Sequence, residues 1–327
     1  MPHLGHPVEA CATSCGLWIR SPEAAREGDE VESEVGRFGW EDWAWDASLF
    51  EGSAGYYRRG RIPYAEALPD SLATALDLDG HGWLLDVGCG PGIIALRLAH
   101  LFEEVVGLDP DAGMLEEAPR AARELGVANI SWVLLRAEDL PAGLGTFRVI
   151  TFAQSFHWMN RSKVASAVRA MVEPNGAVVQ IDPGRDGIAS DPAPGPHPPV
   201  PFEAIDRLRR RYLGPDRRAG QGVRSTSPSG EDAIFQEAGF VPEVRMPVAD
   251  ARILDRTTDD LVAWVFSASS TAPHLFGEEL GPFEAHLRAL LDEASPSRHF
   301  SVPLSDTTLR IRRPKGHPSP KDLSADP

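Results

Sequence analysis

The chain has 327 residues, 42% apolar and 24% charged, which is the usage of an ordinary globular protein with enough apolar material for a sizeable core. At roughly 150 residues per domain the length suggests about two units, or one domain with insertions. Lys plus Arg is 32 and Asp plus Glu is 48, a formal charge of −16 that disfavours nucleic-acid backbones and anionic membrane surfaces as partners. Three cysteines, Cys11, Cys15 and Cys89, make no disulfide framework, and an isolated C-x3-C is a weak metal signal, so no metal site is expected. The first twenty residues show no basic start followed by an apolar stretch, and no apolar run approaches the roughly 18 residues a bilayer requires. The expected compartment is the cytoplasm.

Residues 1–35 are rich in Pro, Ala, Glu and Gly without a sustained period and are expected to be a disordered extension. Residues 36–82 carry an aromatic cluster (Phe38, Trp40, Trp43, Trp45, Phe50, Tyr56, Tyr57, Tyr64) followed by a helical pattern over 65–77, and are expected to form an N-terminal cap. From residue 83 strands and helices alternate. Strands are predicted at Trp83–Val87, Val105–Leu108, Ile130–Leu135, Phe147–Ala153 and Ala177–Ile181. Helices are predicted at Ile93–Phe102, at Ala112–Leu125 with a kink or break at Pro119, and at Lys163–Val172, closed by the turn Pro174-Asn175-Gly176. Strands of about five residues separated by helices imply βαβ units: an α/β, Rossmann-like, mostly parallel sheet with helices on both faces. Residues 83–182 form this core. Residues 183–201, with seven prolines and three glycines, suit neither helix nor strand. Helices follow at Phe202–Leu213, Glu231–Ala238, Thr258–Ser267 and Pro282–Ala294, with strands at 240–248 and Thr307–Arg312. Residues 183–313 are expected to supply a lid and the end of the catalytic domain, with a late antiparallel strand closing the sheet. Residues 314–327 form a polar, Pro-containing tail.

The sharpest feature is Leu84-Leu85-Asp86-Val87-Gly88-Cys89-Gly90-Pro91-Gly92. An apolar strand runs into three alternate glycines and then a helix, so the backbone can turn tightly and approach a ligand without intervening side chains. N–H groups at the new helix start can face a polar ligand. Asp109 ends the next strand, 19 residues after Gly90, where a carboxylate can accept both hydroxyls of a ribose. A dinucleotide loop would read G-x-G-x-x-G to admit a pyrophosphate. Here the third glycine comes one position early, and Asp86 adds a carboxylate that would repel a diphosphate but favour a sulfonium and an amino group. The balance favours S-adenosyl-L-methionine over a nicotinamide dinucleotide.

The stretch 83–182 resembles the class I S-adenosylmethionine-dependent methyltransferases. Asp86-Val87-Gly88-Cys89-Gly90-Pro91-Gly92 is similar to the first motif of that family, and Val105-Val106-Gly107-Leu108-Asp109 with Met114-Leu115 to its second. Arg136-Ala137-Glu138-Asp139-Leu140-Pro141 resembles the segment that cups the adenine. Gln154-Ser155-Phe156-His157-Trp158 resembles a small-molecule subgroup that includes trans-aconitate methyltransferase-like proteins. The resemblance implies Asp109 on the ribose, the 88–92 loop along the methionine moiety, and Ala137 or Glu138 near the adenine amine. It also implies a cofactor surface that includes Asp86, Cys89, Pro110, Met114, Ala153 and Gln154. Upstream, Tyr57, Arg61 and Tyr64 resemble the aromatic and basic segment over the cofactor's methionine end. Arg148 departs from the family, which usually has an acidic residue there, at a strand entrance away from the methyl group.

Several residues admit two readings. His157, just past a strand's C-terminal end, is either a general base or, the preferred reading, a pocket-wall histidine, since methyl transfer from a sulfonium often needs only alignment and desolvation. The Arg207–Arg211 cluster, with Arg217 and Arg218, is either a clamp for an acidic substrate or, the preferred reading, a solvated helix face. The aromatics of 38–64 are read as core ahead of pocket lining, and Cys89 as a packing residue. The expected function is transfer of a methyl group to a small-molecule acceptor by direct displacement, in a monomer or homodimer. An NAD(P)-dependent oxidoreductase and a non-catalytic S-adenosylmethionine-binding protein are the alternatives. A nucleic-acid or protein methylase is disfavoured by the charge and by the lack of an Asn/Asp-Pro-Pro-aromatic signature.

Overall fold

A computed structural model describes residues 17–18, 37–38, 45–184, 187–189, 195–220, 222–224 and 230–316. The strands are β1 (Trp83–Val87), β2 (Glu104–Asp109), β3 (Ile130–Leu134), β4 (Phe147–Ala153), β5 (Val172–Asp182), β6 (Val244–Val248), β7 (Ile253–Thr257), β8 (His299–Pro303) and β9 (Thr307–Arg312). The helices are α1 (Ala54–Gly60), α2 (Leu68–Leu76), α3 (Ile93–Leu98), α4 (Ala112–Leu125), α5 (Arg161–Met171), α6 (Phe202–Leu213), α7 (Glu231–Glu237), α8 (Thr258–Phe266) and α9 (Leu280–Ala294). Strands of two or three residues also lie at Leu17–Trp18, Arg37–Phe38, Arg218–Ala219 and Gly222–Arg224. Most of the expected 1–35 extension and of the 314–327 tail lies outside the described residues; Leu17–Trp18 pairs parallel to Trp132 and Val133.

The main sheet runs Leu17–Trp18, β3, β2, β1, β4, β5, β9, β6. Strands β1 to β5 pair in parallel, and β9 is antiparallel to both of its neighbours. This is the doubly wound, Rossmann-like α/β arrangement, with the late strand inserted between β5 and β6 instead of closing an edge. Its insertion is fixed by Arg312, fully buried, whose guanidinium donates to Gln180 Oε1 at 2.6 Å and pairs with Glu243 just before β6.

Alternate side chains of each strand feed two cores. Leu84, Val105, Ile130 and Trp132 pack under α2, α3 and α4. Leu85, Val106, Leu108 and Ile150 pack under α5 and α7. Alternation of buried residues on both faces is why these strands read as near-continuous apolar runs. A third cluster is built from α6, α8, α9, Phe276, Phe300 and Val302, with Tyr56 of α1 packed against it.

Three local expectations need correction. α4 runs through Pro119 without a break. The lost backbone hydrogen bond, about 3 kcal/mol with its steric clash, is outweighed by the buried stripe of Met114, Leu115, Ala118, Ala121 and Ala122. Pro174-Asn175-Gly176 does not end the helix before a separate strand: β5 already starts at Val172, and the three residues fall inside the register shift between the Phe147 and Val149 pairings. The antiparallel pair β7–β8, which carries no turn signal because its strands lie 41 residues apart, was not expected.

α1 approaches α8 so closely that a Cβ at Gly60 would lie 2.3 Å from the Ala263 carbonyl oxygen and 2.7 Å from Trp264 N. Helix propensity alone makes Gly60→Ala stabilising by about 1 kcal/mol. The backbone contact reverses the sign, and we expect a net loss of about 1–3 kcal/mol in denaturant titrations. A gain in stability would show that the cap does not seat on α8.

Candidate functional site

A cleft of about 650 Å³, open to solvent, lies at the carboxyl ends of β1, β2 and β4. That edge is where open α/β sheets place their ligands. Its floor is Gly88, Gly90, Leu108 and Asp109; Pro110, Met114, Arg136, Ala137 and Glu138 form one side; Ala153, Gln154, Ser155, Trp158 and Met159 form the other; Trp45, Phe50 and Tyr57 cover it.

The loop after β1 is pinned to the end of β2. Gly88 N and Cys89 N donate to the Leu108 carbonyl at 2.7 and 3.0 Å. Gly90 N donates to Asp109 Oδ2 at 2.8 Å, and Asp111 N donates to Oδ1 at 2.9 Å. Gly92 N donates to the Cys89 carbonyl at 3.0 Å. The loop's N–H groups are therefore spent inside the protein. Toward the cleft the loop presents bare glycine surface at Gly88 and Gly90. Gly90 sits at φ +54° with nothing nearer to a would-be Cβ than Tyr57 Cε1 at 4.0 Å. Gly92, at φ +82°, is required for a different reason, since a Cβ there would lie 2.4 Å from Trp132 Cη2.

Two buried carboxylates flank this loop. Asp109 is 7% exposed, and burial pushes its pKa up to about 7 against the two backbone N–H groups that lower it. Asp86 is 1% exposed and does not line the cleft. It accepts from Thr151 Oγ1 at 2.7 Å, its second oxygen has no partner, and burial pushes its pKa up to about 6.

Of the sequence-expected residues, Tyr57, Gly88, Gly90, Asp109, Pro110, Met114, Ala137, Glu138, Ala153 and Gln154 come together in the cleft wall. Glu138 lines it and Asp139 does not; Glu138 Oε1 accepts from Asn160 N at 2.8 Å and Oε2 lies 3.5 Å from Arg136 Nε. Cys89 and Gly92 stand behind the wall, with Cys89 in the core beneath the loop, its sulfur 3.1 Å from where a Gly107 Cβ would be. Arg61 is also one layer back, with its guanidinium carbon 4.5 Å from the centre of the Tyr57 ring and one NH2 donating to the Ser267 carbonyl at 2.8 Å. His157 is outside the wall, its ring 4.8 Å from that of Trp158, which is in it.

The aromatic cap is not only core. Phe50 meets Tyr57 at 6.1 Å and Trp158 at 6.2 Å, both edge-on, roofing the cleft. Trp40 and Trp43 lie outside the described residues. The arginines of α6 do not reach the cleft: Arg209 and Arg210 pair with Asp206 at 3.0 and 2.7 Å, and Arg207 lies 3.7 Å from Glu203. Sequence reasoning missed Trp45, Phe50, Leu108, Arg136, Ser155, Trp158 and Met159 as lining residues. Arg136, Ser155 and Trp158 sit inside motifs already singled out and were within reach of it. Leu108 also sits inside one of them, the second motif, and Met159 carries no signal beyond being apolar. Arg148 donates to the carbonyls of Asn175 and Leu76 at the far end of β4.

Residues 84–176 match the family model of a methyltransferase domain. An uncharacterized methyltransferase of Mycobacterium tuberculosis is 32% identical over 142 residues, 43% of this chain and 55% of that protein. The uncharacterized methyltransferase YcgJ of Bacillus subtilis is 32% identical over 152 residues, 46% of this chain and 54% of that protein. The crystal structure of YcgJ aligns with a TM-score of 0.44 and 18% identity, covering 76% of this chain and 98% of that one. The chain spans about half the length of the curated relatives it matches. Over residues 84–176, then, this chain is similar to a methyltransferase domain.

Proposed function

We propose that the whole protein transfers the methyl group of S-adenosyl-L-methionine to a small-molecule acceptor. The observation that carries the reading is the spent loop: Gly88, Cys89, Gly90 and Gly92 all donate their N–H groups to protein acceptors, and a carboxylate takes the one that faces the cleft. A pyrophosphate is repelled by carboxylates, and the Asp109 carboxylate held against Gly90 N disfavours the nicotinamide alternative. An adenosyl group with a cationic methionine end fits. Asp109 keeps lone pairs for two ribose hydroxyls, Ala137 and Glu138 border the adenine position, and the unpartnered Asp86 oxygen adds negative charge beneath the loop. The cofactor would supply a methyl group on a sulfonium: the acceptor's lone pair bonds to the methyl carbon as the carbon–sulfur bond breaks and its electron pair stays on sulfur.

The chain's own part is positioning and exclusion of water. Trp45, Phe50, Tyr57 and Trp158 cover the cleft and offer an acceptor rings to lie against. Arg136 is the one cation in the described wall and already lies near Glu138, so we favour an acceptor with an apolar or aromatic body over a polycarboxylate of the trans-aconitate type. Among the described residues no helix is long and apolar enough to cross a membrane. The cytoplasm is the proposed compartment, and a monomer or homodimer the proposed state.

Three experiments test this. By calorimetry Asp109→Ala lowers affinity for S-adenosylhomocysteine on the order of 100-fold, the worth of two hydrogen bonds to a charged group. Unchanged affinity would sink the assignment. His157→Ala retains cofactor affinity and turnover within a few-fold, because the ring stands outside the wall; a collapse of turnover alone would make His157 a base after all. Finally, burial raises the folded-state pKa of Asp86 from 3.8 to about 6. The folded protein then holds a proton the unfolded chain has lost, so this group's contribution to stability falls as pH rises from about 4 to about 6 and is constant above. Asp86→Asn removes that loss, and the melting-temperature difference between variant and wild type should grow over that window and then level off. A difference independent of pH would show that Asp86 is not buried as a charge.

A further inference from the structure

His197, Asp255 and His299 are far apart in sequence, with none of the short spacings that mark a metal site. The fold brings them to one face of the β7–β8 pair. Asp255 faces Ser301 and Thr257 faces His299 in the register, so Asp255 and His299 are diagonal neighbours on the same face. The segment ahead of α6 lies alongside as a third strand: Ser301 N donates to the Pro198 carbonyl at 3.0 Å, Pro199 bridges Ser301 in parallel, and His197 N donates to Ser301 Oγ at 2.9 Å. Ser301, 5% exposed, thereby fixes the backbone on which His197 stands.

The side chains converge. His299 Nδ1 is 2.7 Å from Asp255 Oδ1, and His197 Nε2 is 3.7 Å from Asp255 Oδ2. One ligating atom from each residue lies within 4.8 Å of the other two. We infer that His197, Asp255 and His299 bind one divalent transition-metal ion of the zinc class. Bonds of about 2.0–2.2 Å place tetrahedral ligand atoms roughly 3.3 Å apart. From within 4.8 Å of one another the atoms need to close by at most about 1.5 Å, and the His299–Asp255 pair at 2.7 Å to open by about 0.6 Å; side chains 30%, 52% and 41% exposed have the torsional freedom to do so. Two imidazoles and one carboxylate suit zinc, cobalt or nickel, whereas magnesium and calcium prefer an all-oxygen shell. The same exposure gives the ion a route from solvent and leaves room for water in the remaining coordination positions. None of the three residues lines the methyltransferase cleft. The ion would therefore act as a brace, joining the Pro-rich connection before α6 to the β7–β8 pair that flanks α8.

The test uses the untagged full-length chain stripped with a chelator. Zinc is titrated calorimetrically and cobalt by its visible absorption. Wild type is expected to take up one equivalent more than the His197→Ala/His299→Ala variant, with a rise in melting temperature that a chelator reverses and that magnesium does not reproduce. Binding at other histidines or cysteines would persist in both proteins and cancels in the difference. The isosteric Asp255→Asn change should lower affinity for the differential equivalent on the order of 100-fold. Equal stoichiometry and equal thermal shifts in wild type and double variant overturn the inference. Should the double variant fail to fold, unchanged zinc affinity in Asp255→Asn overturns it alone, and a loss supports it.

Discussion

The architecture of the cleft depends on one carboxylate. Asp109 closes the last turn of β2 by accepting from Asp111 N, and it holds the loop after β1 by accepting from Gly90 N. Hydrogen bonds to an ionised acceptor contribute roughly 1.5–3 kcal/mol each. The preceding residue, Leu108, takes two more loop N–H groups on its carbonyl. Trp132 of β3 fills the space that Gly92 and Gly107 leave open. Three adjacent parallel strands thus specify one loop: β1 supplies it, β2 satisfies it, and β3 supports it from beneath.

Because the loop is satisfied internally, the cleft is selective by what it withholds. Toward the cleft the loop presents glycine surface and, at Asp109, a buried acid that already accepts from Gly90 N. The roof is assembled from another part of the chain. α1 carries Tyr57 into the cleft and sets Tyr56 against Phe266 of α8, with ring centroids 5.2 Å apart. The third apolar cluster and the cleft therefore share a helix of seven residues. A cap wedged this tightly couples the packing of residues 200–302 to the position of the aromatic roof.

The sequence revealed what is local and periodic. The apolar runs of β1 to β5 announced a parallel sheet because both of their faces are buried, and the alternate glycines announced a ligand loop because glycine takes those positive φ angles without strain and leaves the surface bare. What it hid depends on distant chain segments. Asp255, His299 and His197 read as ordinary strand and loop residues until the β7–β8 register and the 195–200 segment place them together. Phe50 and Trp45 read as core because an aromatic does not show from sequence whether its neighbour is protein or ligand. Pro119 misled because a local rule was applied without the tertiary burial that overrides it. His157 follows a strand end, and the one-turn helix over Phe156–Trp158 turns Trp158 into the cleft wall beside it.

The two buried acids have a consequence for the catalytic cycle that follows from linkage. Both are held near neutrality by desolvation, with pKa values of about 6 and about 7, so each ionises at a cost to the folded protein. A positive charge in the cleft above the loop would offset part of that cost, and by reciprocity the acids would strengthen its binding by the same free energy. On the proposed function, S-adenosyl-L-methionine brings such a charge as its sulfonium and its demethylated product does not, so the product would be held less tightly than the reactant on this account, an asymmetry that a well-solvated acid would not give.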